Sequence, residues 1–246
     1  MTGKFQFAGQ VNKHLKEELL IRKNNDKALT HPKIVLLFLL LLLIWGFREI
    51  LLRPIMSESL GVLGFQFVET LTKLAVWTIP ALLLISYYNG SMSISLKDML
   101  TNEVKWLRYL PVIFAIVAYN LIAACFVHRS IAITVPVPKA SLFETVLFVG
   151  ITEEFVFRGF FLNALLKKTL ALWAVIISSV MFVIIHFPLW ISESSFSNPL
   201  LFWQNCIGVF AISLVFGWTF VKSKNIFTPI IIHMIWNLSV ILLLHR

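Results

Sequence analysis

Charge is scarce in this chain of 246 residues: Asp, Glu, Lys and Arg together make up 13% of it, against 59% hydrophobic residues and a mean hydropathy of +0.86. Water-soluble domains carry about 25% charged residues, so the composition excludes one and points to a chain whose solvent is lipid. Cysteine is scarce as well. Cys125 and Cys206 fall inside apolar runs and form no C-x-x-C pattern, which leaves no redox motif and reads them as small buried apolar side chains. The start of the chain lacks the short apolar core and small-residue cleavage site of a signal peptide, so a cleavable leader is not expected. No connector is long enough to separate one domain from another, and no internal inverted repeat is visible. The basic residues are not gathered with stacking aromatics on one module, so the net charge of +9 does not signal nucleic acid.

What is present is a succession of apolar runs. Set against the roughly 20 residues that cross a bilayer, they predict seven spans: Ile34 to Leu52, Phe67 to Tyr88, Leu107 to Val127, Leu142 to Leu166, Ala171 to Ile191, Leu200 to Val221 and Ile226 to Leu244. Splitting one run would make eight. The expected fold class is all-α, a polytopic helical bundle, with a basic tail over residues 1–33 and a single membrane domain over 34–246. Of the 21 Lys and Arg, 14 lie before the first span or in the loops on that same side, and five lie opposite. The positive-inside rule then places the amino terminus in the cytoplasm.

Polar residues within the spans are concentrated toward the end of the chain, over 142–246. Glu153, Glu154 and Arg158 occupy one predicted span, His186 the next, and His233 and Asn237 the last. Ionisable groups inside a membrane cost several kcal/mol and normally face a protein interior. On a helix, Glu154 and Arg158 are four apart and can pair, whereas Glu153 is rotated by about 100° from Glu154. This spacing leaves Glu153 as the available carboxylate and the expected general base. His233 and Asn237 also share a face, an arrangement suited either to metal ligation or to hydrogen bonding an oxyanion. Pro188 is expected to distort the helix just after His186. At about 1.5 Å per residue, Glu153 and Asn237 fall near mid-membrane, His233 nearer the inside and His186 nearer the outside. A common site therefore requires tilt or a kink. Glu69 and Lys73, also four apart, read as a helix-supporting pair near a span end.

The segment Glu-Glu-Phe-Val-Phe-Arg at Glu153 to Arg158 resembles the E-E-x-x-x-R motif of the CAAX protease and bacteriocin-processing (CPBP, or Abi) family of intramembrane proteases. Phe182 to His186 resembles that family's F-x-x-x-H motif, and His233 to Asn237 its H-x-x-x-N motif, in the family's order and each within a predicted span. Phe182 itself reads as packing. The resemblance implies a multipass endopeptidase in which Glu153 with His186 activates the hydrolytic water. It implies further that His233 and Asn237 bind a metal or hold the oxyanion, with Glu154 and Arg158 in support. A divalent metal such as zinc, if used, would fall to Glu153, His186 and His233. The chain has no H-E-x-x-H, the strong zinc signal, so a route through glutamate and histidine alone stays open. The expected partners are a membrane-associated peptide or protein and the bilayer, with the cell membrane as location if the source is bacterial.

Two other classes compete. A proton-coupled transporter would use the same carboxylates and histidines as a relay, against which the lack of Gly-interrupted helices and of a repeat counts. A non-catalytic immunity or binding protein of the same fold would keep the bundle without the chemistry.

Overall fold

The computed structural model describes residues 28–129 and 142–244; the first 27 residues of the expected basic tail lie outside them. Among the described residues the secondary structure is helical, with no strand. Helix α1, His31–Ser59, opens with a proline in its first turn, where the missing N–H had no partner to lose, and continues through a leucine-rich run. Helix α2 is Leu63–Tyr87. The short α3, Leu96–Thr101, is capped by Ser95, whose Oγ accepts from the Asp98 amide. Helix α4 is Leu110–His128. Helix α5 fills residues 142–166 as the adjoining segments Leu142–Phe148, Val149–Glu154, Phe155–Leu162 and Asn163–Leu166. Helices α6, Ala171–Ser192, α7, Pro199–Ser223, and α8, Phe227–Leu243, complete the chain.

Every apolar run of the sequence is therefore helical. By length and composition α1, α2, α4, α6 and α7 can each cross a membrane. Helix α5 carries Glu144, Glu153, Glu154 and Arg158, and α8 has only 17 residues, so neither meets the same criterion. The outward faces are apolar, with Leu43, Phe114, Phe126, Trp203 and Ile207 exposed, as lipid-facing positions should be. Cys125 is also exposed and Cys206 half-buried, which corrects the expectation that both are buried. Their apolar surroundings are the outer faces of α4 and α7 rather than the core.

Helix α5 is the central strut. All residues from Val156 to Leu162 are buried, and α2, α6, α7 and α8 pack around it. Close approach of its neighbours depends on small residues. A Cβ at Gly150 would lie 3.0 Å from Met234 Cγ on α8, and one at Gly217 of α7 would lie 3.0 Å from Val175 Cγ1 on α6. Overpacking costs about 1–3 kcal/mol, so Gly150→Leu is expected to push α8 off α5 and lower the thermal unfolding temperature in detergent. An unchanged transition would show that α8 does not seat on this glycine. Helix α4 is tied to α8 by Asn120 Nδ2, which donates to Ser239 Oγ at 2.7 Å.

Helices α1 and α2 contain π-helical turns at Arg48–Leu52 and Leu74–Thr78, and α5 contains them at Leu142–Phe148 and Phe155–Leu162. Such turns widen the helix and re-aim consecutive side chains, often at functional sites. In α1 the result is that Arg48 and Glu49 are both buried. Helix α6 breaks where Pro188 predicts: its regular stretch ends at Ile184, and helix resumes at Phe187. There the His186 amide donates to Val183 O at 3.1 Å, and the carbonyl of Phe182 is left for another donor.

Candidate active site

The proline break supplies that donor. His186 Nδ1 lies 2.6 Å from Phe182 O; a carbonyl can only accept, so in the neutral ring Nδ1 carries the proton and Nε2 is left with its lone pair. The ring is held against Phe182 and Trp190. A histidine positioned in this way presents one defined nitrogen to whatever faces it.

On α5 the expected pairing is present. Arg158 donates to Glu154 Oε1 at 3.0 Å, and its other terminal nitrogen donates to the carbonyl and Oγ of Ser213 at 3.0 and 2.7 Å. Its guanidinium also lies over the rings of Phe182 and Phe216, at 4.6 and 5.3 Å, a cation–π setting that suits a desolvated arginine. Spacing had not foreseen that the same Glu154 oxygen accepts from His233 Nδ1 at 2.8 Å. Arg158, Glu154 and His233 thus form a buried relay that sets the histidine's tautomer, as carboxylates do behind functional imidazoles. Phe216 stacks on the His233 ring at 4.6 Å and 19°. The outcome is that His233 Nε2 points to Glu153, with Oε2 3.9 Å away.

Exposure separates the two glutamates. Glu154 is 0% and Glu153 9% exposed. Glu153 opens onto a cavity of about 300 Å³ that His186 also lines. The depth conflict between Glu153 and His186 is thereby removed. Asn237 is not brought to the carboxylates: its Nδ2 donates to Thr145 O at 2.8 Å, and it is Thr145 that lines the cavity.

The opposite wall comes from α1 and α2 and was missed in the sequence. Glu49, Arg53, Glu69 and Lys73 line it, and Glu144 lines the cavity from α5. Glu69 does not pair with Lys73 as its spacing suggested. It forms an ion pair with Arg48, which also donates to Glu49 at 2.5 Å. The available signal was the presence of these charges inside apolar runs, the same signal that singled out Glu153.

Glu153, His186 and His233, the set expected to hold a divalent metal, do not converge on one point: among the described residues no three His, Cys, Asp or Glu side chains are grouped as ligands. The side chains as arranged do not fit such an ion, and no catalytic step is routed through one.

A family model described as type II CAAX prenyl endopeptidase, Rce1-like, matches residues 135–239. By the motifs that it spans, that segment is similar to the CPBP family. The match takes in all three motifs and leaves out α1 to α4, so the CPBP segment supplies only one wall of the cavity. Comparison with curated proteins and with solved structures yields no match. Together with the five helices able to cross a bilayer, this match to a membrane-protease family makes the chain an integral membrane protein.

Proposed function

We propose that the protein is an intramembrane endopeptidase that hydrolyses peptide bonds of a membrane-associated peptide or protein. The observation that carries this reading is the sharing of one cavity by Glu153 and His186, with Glu154, Arg158 and His233 buried behind them. Glu153 has no hydrogen-bond partner among the described residues, so its carboxylate is free to take a proton. His186 offers an unprotonated Nε2.

In this reading a water is held between Glu153 and His186 Nε2. As its oxygen attacks the scissile carbonyl carbon, Glu153 takes a proton and the carbonyl electrons move onto oxygen. Collapse of the tetrahedral species breaks the C–N bond, and the proton on Glu153 passes to the departing nitrogen. General acid–base catalysis of this kind contributes about 10²–10⁴-fold. The transient oxyanion falls to His233, when its Nε2 carries a proton; a preorganised donor is worth about 10²–10³-fold. Arg158 and Glu154 act by positioning His233. The charge asymmetry of the loops supports an amino terminus in the cytoplasm.

The test is peptide profiling of membranes holding wild-type protein or His186→Ala, each with and without a metal chelator. Peptides released by the wild type should fall by about 10²-fold or more in the variant, with the protein still inserted and folded. Equal release by both would overturn the reading. Loss of wild-type release on chelation would assign the same side chains to a metal-dependent route.

A further inference from the structure

The cavity holds more charge than water activation requires, and the surplus lies on the wall outside the family match. Arg48 behind this wall is engaged by Glu49 and Glu69. Arg53 at the rim is partly exposed and lies 3.6 Å from both Glu49 and Glu193. Lys73 is different. It lines the cavity opposite the CPBP motifs, yet among the described residues it forms no hydrogen bond and no ion pair within 4.0 Å. Glu153 and Glu144 share its cavity without approaching that closely.

An ammonium inside a membrane protein is expensive without water or an anion. A polar cavity of this size supplies water in the resting protein, and a ligand can replace that water with charge. We propose that Lys73 is the docking point for a carboxylate carried by the peptide substrate, so that this enzyme selects peptides with a negative charge close to the cleaved bond. The inference rests on the endopeptidase reading. A peptide brings two kinds of anion, its terminal carboxylate and the side chains of Asp or Glu. A cavity of about 300 Å³ is at the small end of ligand sites and admits a short stretch of chain. The anion therefore sits within a few residues of the bond that Glu153 faces. Lysine, a compact point charge rather than a planar fork, suits a single carboxylate in varied orientations.

The experiment uses the full chain in lipid nanodiscs. Peptides released in the membrane comparison of wild type and His186→Ala are synthesised as free acids, as carboxyl-terminal amides, and with each Asp or Glu replaced by its amide. Charged hydrogen bonds are worth a factor of about 10–100, so wild-type KM should rise by that much for whichever neutral form removes the recognised carboxylate, with kcat little changed. Lys73→Gln should raise KM for the acid to the level of the neutral form, and Lys73→Arg should restore some of the preference. Wild-type protein that cleaves acid and neutral peptides alike would overturn the inference even if every variant fails to fold. So would a Lys73→Gln protein whose kcat falls equally on both, because Lys73 would then serve Glu153 and not the substrate. If the wild type cleaves no peptide, the endopeptidase reading fails. Binding of fluorescein-labelled short peptides to Glu153→Gln protein, acid against amide, with and without Lys73→Gln, then decides the docking role alone.

Discussion

Glu153→Gln protein is expected to fold, insert and release no peptide above background, a loss of about 10²–10⁴-fold from removal of the general base alone. The exchange keeps the shape of the side chain and removes its negative charge together with its capacity to take up a proton. Glu153 makes no hydrogen bond among the described residues, and the imidazole closest to it, through His233 Nε2, is 3.9 Å away; little stabilising interaction is therefore lost. Thermal unfolding in detergent should be unchanged. The informative comparison is cleavage rate against unfolding temperature in the same preparation. A variant that unfolds early would attribute the lost activity to structure, and one that keeps full activity would remove Glu153 from the chemistry.

Arg158→Met should show the reverse emphasis, with a loss of stability of about 3–5 kcal/mol, the usual cost of leaving one member of a buried ion pair unmatched. Arg158 is 1% exposed and links α5 to Ser213 of α7 and, through Glu154, to His233 of α8. Its loss strands the Glu154 carboxylate in a desolvated interior and cuts the tie to α7. Activity falls with stability because His233 loses its fixed partner. Adding Glu154→Gln to Arg158→Met should recover some of the stability, since no unmatched charge then remains. Additive destabilisation in the double variant would show that the two residues are not coupled.

The contrast between these variants traces how far the sequence could be read. The i,i+4 spacing of Glu154 and Arg158 predicted their pairing, and Pro188 predicted the break that frees a carbonyl for His186. Local geometry determines such features, and local geometry follows from spacing. The bond from His233 to Glu154 joins residues 79 positions apart, and nothing within either helix specifies it. The same limit explains why Glu69 was assigned to Lys73, its neighbour on α2, when it pairs with Arg48 on α1. It also explains why Asn237, co-facial with His233 along α8, donates to Thr145 and not into the cavity.

By itself the sequence determined that this is a helical membrane protein, because crossing lipid requires apolar runs whose backbone bonds are satisfied within each helix. It also determined which spans carry charge. Tertiary structure alone decided that Glu153 opens to the cavity while Glu154 is sealed between Arg158 and His233, and that Lys73 faces the motif wall. A helix specifies which of its residues share a face. What that face meets depends on packing between helices, which the glycines, π turns and buried ion pairs of this bundle arrange at a distance along the chain.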